Sequence, residues 1–306
     1  MRTMTPPVIH VSQEVQEAVR DGRPVVALES TIFTHGLPRP RNLEVALEAE
    51  ASLREQGVTP ATIGVFDGVP TVGLNTEQIT TLSNTDDIAK VSLRDLPIVG
   101  ALRKHGGTTV AATAFLAHYA GVKVFSTGGL GGVHHGASQT FDESADMTTL
   151  AQVPILVISA GVKSILDIAA TLERFETLNI PVIGFGTTNY PGFYVSDSGF
   201  RIGYAVDTPD EVATVVKARD ALGLPQSVLL ANPVAVDKQL PPEHLDDILT
   251  RAWAEADAQG ITGNASTPFL LDFIQRDTKG VSLDVNVEVY RGNVTLGGRV
   301  ATALTR

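Results

Sequence analysis

Ile155-Leu156-Val157-Ile158-Ser159-Ala160-Gly161-Val162-Lys163 is the stretch whose reading decides the fold. Its first five residues form a short apolar run of the length expected for a strand buried on both faces. Ala160, Gly161 and Val162 make a small turn. Behind Lys163, the residues Ile165, Leu166, Ile168, Ala169, Leu172, Phe175 and Leu178 return at helical spacing, which predicts a helix over Ser164–Leu178. Strand, turn and helix in immediate succession form the repeating unit of a parallel sheet.

Outward from this unit the pattern recurs. Apolar runs at Val25–Leu28, Thr62–Phe66, Val122–Ser126, Val182–Phe185 and Ser227–Leu230 end in glycine or a small polar residue. Helical patterns fall at about Leu43–Gln56, Leu93–Lys104, Thr109–Tyr119, Pro209–Leu222, Pro242–Gln259 and Ser266–Arg276. The alternation predicts an α/β fold, an α/β/α sandwich with a mostly parallel central sheet covered by helices. No linker, repeat or low-complexity tract interrupts it, so residues 1–306 are expected as a single domain with residues 1–9 a loose tail. After Lys279 the pattern fits either a strand (Val285, Val287, Val289) or a packed helix.

Composition narrows the function. The 306 residues are 43% hydrophobic, enough for a substantial core. Net charge is −11 without a basic block, which argues against a nucleic-acid surface. There are no cysteines, so disulfides, thiolate nucleophiles and Cys-ligated metals are excluded, as suits a cytoplasmic protein. The start holds no signal-like core, and the longest apolar stretch, around Val153–Val162, is about half the length of a membrane span. A soluble protein is expected.

On such a sheet, ligands bind beyond the carboxyl ends of the strands. Lys163 stands there, and at a helix N-terminus the dipole would disfavour its ammonium form. Partial burial pushes the same way, towards an amine able to attack a sugar carbonyl; the competing reading is a surface lysine. Glu29 closes the Val25–Leu28 run, where half-burial would let a carboxylate keep its proton for acid catalysis; a capping or salt-bridged glutamate is the alternative.

Ser126–Gly136 holds five glycines in eleven residues, yet lacks dinucleotide or P-loop spacing, so no nucleotide cofactor is expected. His134 and His135 are adjacent and without a third ligand at helical spacing, a poor zinc site. Asp142, Glu143, Ser144 and Asp146 offer hard oxygens suited to Mg²⁺ or Mn²⁺, although Ser144 or Asp146 would equally cap a short helix. Gly106–Val110 opens an apolar helix and makes a phosphate seat, with Lys90 a cation for it, unless Thr108 is only a cap. Asn264–Leu271 reads as a capped helix start reaching the site.

Together these segments resemble the pseudouridine-5′-phosphate glycosidase (pseudouridylate synthase) family. The matching residues are Val25–Ile32 with His35-Gly36, Thr59–Ile63, Lys90–Ser92 with Arg94–Pro97, Thr108–Val110, Lys123–Phe125 and Thr127–Gly129. They continue with Gly131–His134, Gly136-Ala137, Thr140–Asp142, Ser144–Asp146, Ala160-Gly161, Lys163–Asp167, Ala231–Pro233 and Ser266–Leu271, in order from about residue 10 to 290.

The resemblance implies a lyase that reversibly cleaves the C–C bond between uracil and ribose in pseudouridine 5′-phosphate, giving uracil and ribose 5-phosphate in pseudouridine catabolism. It makes Lys163 the imine-forming nucleophile and Glu29 the proton donor and acceptor. Asp142 would hold manganese or another divalent ion such as Mg²⁺, largely through waters. Lys90, Val110, Ser144, Ala145, Asp146 and Asn286 would bind substrate. An α/β/α sandwich and a homotrimer are implied as well, with no organic cofactor. His135 and Ser196 stand where the family often has arginine, which would weaken phosphate binding unless another residue such as Arg39 compensates. Glu143 replaces an aliphatic residue. The remaining alternatives are an imine-forming aldolase for another sugar phosphate and a non-catalytic sugar-phosphate sensor.

Overall fold

A computed structural model describes residues 9–261 and 266–306. Most of the expected tail, residues 1–8, and Asn264 in the expected helix cap lie outside the described residues. The strands are β1 (His10–Val11), β2 (Val25–Leu28), β3 (Thr59–Phe66), β4 (Val69–Val72), β5 (Ala89–Val91), β6 (Gly106–Thr108), β7 (Val124–Ser126), β8 (Leu156–Ser159), β9 (Val182–Phe185), β10 (Tyr204–Val206) and β11 (Val228–Ala231). They run in the order β1-β4-β3-β2-β7-β8-β11-β9-β10, with β6 also on β3 and β5 on β6. The centre is parallel, while β4 and β6 pair antiparallel with β3.

Register matters more to function than strand order. Leu28 lies opposite Ser126, Ser126 opposite Ile158, and Ser159 opposite Ala231. The central strands therefore end level, and the residues that follow them emerge along one line: Glu29, Thr127, Ala160 and Asn232. Alternate strand residues enter opposite cores. Val25, Ala27, Val157 and Leu229 pack on one side, and Val26, Leu28, Leu156, Ile158, Val228 and Leu230 on the other. Two apolar faces require two helical layers, which is the α/β/α arrangement expected from the alternation.

The helices are α1 (Gln13–Arg20), α2 (Arg41–Glu55), α3 (Thr76–Asn84), α4 (Leu96–Leu102), α5 (Val110–Tyr119), α6 (Ala137–Thr140), α7 (Ala145–Leu150), α8 (Ile168–Thr177), α9 (Pro209–Ala221), α10 (Pro242–Ala258), α11 (Ser266–Asp277) and α12 (Val281–Leu304). Local chemistry sets several starts. Asn75 with Gln78, and Thr208 with Glu211, form reciprocal capping boxes at α3 and α9. The tail is helical: α12 lies on β7, where a Cβ on Gly297 would run into the Ser126 side chain, so only glycine permits this approach. No helix among the described residues is long and apolar enough to cross a membrane.

The structure corrects three expectations. The helix behind Lys163 does not begin at Ser164. Asp167 caps it, its side chain accepting from Ala170 N–H at 2.9 Å, and its own N–H is tied to Val133 O at 2.9 Å, so residues 163–167 form a turn. The helix dipole placed against Lys163 is therefore absent. The helix expected over Leu93–Lys104 divides into a 3₁₀ turn at Leu93–Asp95 and α4, which stops at the left-handed Arg103. Thr108 is a strand residue, and Thr109 occupies the start of α5. Strands β1, β4, β5, β6 and β10, of two to four residues, are not marked by apolar runs in the sequence.

Candidate active site

Glu29 follows β2 directly and is 7% exposed. Thr127, which follows β7, donates its hydroxyl to one Glu29 oxygen, and Thr31 donates to the other. Burial raises the Glu29 pKa above the usual carboxylate range. The Lys163 charge and the two hydroxyls oppose that rise, and Asp146 adds to it. The side chain is thus held in one orientation and biased toward its protonated form.

Lys163 is half-buried and follows β8. Its N–H donates to Leu130 O at 3.1 Å, and its carbonyl accepts from Leu166 N–H at 3.0 Å. Gly161, two residues earlier, has a φ of 81°. The chain turns here against the glycine-rich loop, whose hydrogen bond positions the Lys163 backbone although no helix begins there. Lys90 on β5 completes the group. It opens onto the cleft yet is ringed by protein, and this desolvation, with the Lys163 charge second, pulls its pKa below the ordinary lysine range.

The cleft has two lobes that share Glu29, Thr31, Lys90, Lys163 and Thr267. One is walled by Ile32, Phe193, Pro268 and Leu271 and carries the Asn286 amide. Phe193 adopts a φ of 63°, a strained conformation for a bulky residue and of the kind concentrated at binding sites. The other lobe contains Ser92, Arg94, Thr109, Val110, Ser144, Ala145 and Asp146. It lies at the α5 N-terminus, where the helix dipole and first-turn N–H groups favour an anion, although Ala111 N–H is already bonded to Asp146. Thr109 Oγ1 is buried there and finds no hydrogen-bond partner among the described residues.

Every residue to which the resemblance gives a role borders this cleft, and the Asp146 carboxylate is in addition hydrogen-bonded to the protein. It accepts Ala111 N–H and Gly131 N–H, each at 2.9 Å. Ser144 caps α7, accepting Asp146 N–H at 3.2 Å. His135 packs edge-on against Trp253 at 5.0 Å, and Ser196 bonds Gln239; neither lines the cleft. Arg39 is tied to Asp86 and to the Ser83 and Thr85 carbonyls, whereas Arg94 faces the anion lobe. Sequence reasoning also gave no role to Thr31, Thr127, Phe193 or Asn293. The first two lay inside quoted motifs; the last two carried no local signal.

Among the described residues no three His, Asp or Glu side chains converge as a metal cage. Glu143 is paired with Arg174 at 2.9 Å, and Asp146 is occupied. Asp142 is left, lining the anion lobe with His134 Nδ1 at 4.0 Å. One open carboxylate does not suit a zinc-type site, but it fits a hard divalent ion that keeps most of its waters.

Residues 14–303 match the family model described as indigoidine synthase A like protein. The chain belongs to that family. Its relatives include a pseudouridine-5′-phosphate glycosidase of Saccharopolyspora erythraea, 60% identical over 294 residues that cover 96% of this chain and 97% of the relative. Another of that name, from Caldanaerobacter subterraneus, is 45% identical and covers 97% of each chain. Among solved structures of the fold, the prealnumycin C-glycosynthase AlnA, in complex with ribulose 5-phosphate, superimposes with a TM-score of 0.91 at 32% identity over 97% of each chain. An indigoidine synthase A-like protein of Thermotoga maritima gives 0.89 at 34% identity, over 100% of this chain and 99% of its own.

Proposed function

We propose that the protein reversibly cleaves pseudouridine 5′-phosphate, with water, to uracil and ribose 5-phosphate. The observation that carries this reading is the position of Glu29 and Lys163 at the junction of the two lobes. A substrate with its base in the Asn286 lobe and its phosphate at the α5 N-terminus has C1′ at that junction. The relatives' name and the pentose phosphate bound to the C-glycosynthase support the same assignment.

A C-glycoside has no heteroatom leaving group for a pair of carboxylates to protonate. An amine supplies another route. Glu29 gives its proton to the ribose ring oxygen as the C1′–O4′ bond opens, and Lys163 Nζ bonds to C1′. Glu29 then takes a proton from the added nitrogen. As C1′=N forms, the C1′–C5 bond breaks and its electron pair stays on C5, where Glu29 returns the proton. Water hydrolyses the iminium, releasing ribose 5-phosphate and the free amine, and the proton set free returns to Glu29. Lys90, Ser144, the Val110 and Ala145 backbone and Asn286 orient the substrate, and Asp146 preserves the geometry of the anion lobe. Asp142 would hold the divalent ion, manganese or magnesium, whose contribution is to order waters and polarise substrate oxygens. The absence of cysteine supports a cytoplasmic location, and the family resemblance supports a homotrimer.

Incubation of the purified protein with Mn²⁺, uracil and ribose 5-phosphate tests the reading. Formation of pseudouridine 5′-phosphate, followed by ultraviolet absorbance and mass, is the expected result. Failure with every pyrimidine would favour an aldolase, and tight sugar-phosphate binding without turnover would favour a sensor.

A further inference from the structure

Gly128 and Gly129 are adjacent and both line the base lobe, yet they are glycine for different reasons. A Cβ on Gly129 would lie 2.6 and 2.7 Å from the Phe193 ring, so the missing side chain there makes room for protein. A Cβ on Gly128 would meet Asn286 Oδ1 at 3.6 Å, Phe193 Cε2 at 3.7 Å and Ile32 Cδ1 at 4.0 Å, all ordinary contacts. Gly128 is also not among the glycines with a left-handed φ. Neither backbone conformation nor packing requires a hydrogen at this position.

The floor beneath it does not yield. Asn293 Nδ2, on α12, donates to Thr127 O at 2.7 Å and to Gly128 O at 3.2 Å, and Ala160 N–H donates to Gly128 O at 2.9 Å. Asn293 is itself held through its Oδ1 by Asn232 at 2.9 Å. A side chain at position 128 would therefore displace whatever occupies the lobe between Asn286, Phe193 and Ile32.

We propose that Gly128 is a specificity-determining residue: the space left by its missing side chain admits the pyrimidine ring and sets how large a base the lobe accepts. This rests on the base-lobe assignment above. Filling a pocket by one methyl group changes discrimination by roughly 10–200-fold.

The test is Gly128→Ala in the intact protein, assayed in the synthetic direction. The expected result is a rise in the KM for uracil of at least about tenfold. The KM for ribose 5-phosphate and the thermal midpoint should stay near wild type. Borohydride trapping of ribose 5-phosphate on Lys163 without uracil should also persist. The double variant Ile32→Val/Gly128→Ala, which removes the Cδ1 that the new methyl would touch, should recover part of the uracil KM. An unchanged uracil KM in folded G128A overturns the proposal. So does a parallel loss of both KM values and of the melting midpoint, because glycine would then be needed for packing. If wild type makes no product from uracil, the functional reading itself fails, a result distinct from any change in G128A.

Discussion

Asp146 holds Gly131 in place: its Oδ2 accepts the Gly131 N–H at 2.9 Å, while its Oδ1 accepts Ala111 N–H at 2.9 Å from the start of α5. One buried carboxylate thus joins the glycine-rich loop to the helix that forms the anion lobe. Asp146→Ala should leave both amides without acceptors, costing about 2–4 kcal/mol of stability, and should raise the KM for ribose 5-phosphate at least about tenfold. Denaturant unfolding and steady-state kinetics measure the two. A sugar-phosphate KM that stays at the wild-type value would show that the clamp does not shape the lobe.

Lys163 is expected to become covalently joined to the pentose. Borohydride added with ribose 5-phosphate should leave a reduced adduct on Lys163, located by peptide mass spectrometry. Lys163→Arg, which keeps the charge but forms no imine, should lose the adduct and at least about a thousandfold in kcat. Turnover at the wild-type rate in this variant would exclude covalent catalysis by Lys163.

Burial raises the Glu29 pKa, so the folded protein keeps this proton at a pH where the unfolded chain has lost it. The stability contributed by Glu29 is then fully present below the unfolded carboxylate value, about 4.3. It is lost as pH rises through the folded value. Glu29→Gln does not titrate, and its thermal midpoint should gain on wild type as pH rises above the unfolded carboxylate value. Glu50, buried against Thr62 and raised in the same direction, is common to both proteins and cancels. A midpoint difference independent of pH would contradict the assignment.

Chelation should lower turnover, and Mn²⁺ should restore it. Asp142→Asn should weaken Mn²⁺ binding at least about tenfold by electron paramagnetic resonance titration. Melting should change little, because no hydrogen bond holds the Asp142 carboxylate among the described residues. Binding at full strength in the variant would move the ion elsewhere.

The alternation of apolar runs and helical spacing was enough, by itself, to determine an α/β/α sandwich and to put Glu29 and Lys163 beyond the ends of their strands. Burial of a sheet on both faces leaves continuous apolar runs, and a chain leaving such a sheet changes its residue types abruptly. Both marks are local, so both are readable along the chain. The assembled structure alone decided what lies beside what. The Thr127 hydroxyl reaches Glu29 across 98 positions, Asp146 reaches Ala111 across 35, and the Asp167–Val133 bond sets the true start of α8. These contacts depend on strand register and on where distant turns come level, which periodicity does not encode. For the same reason, the separation of the cleft into two lobes exists only once β2, β7 and β8 end side by side.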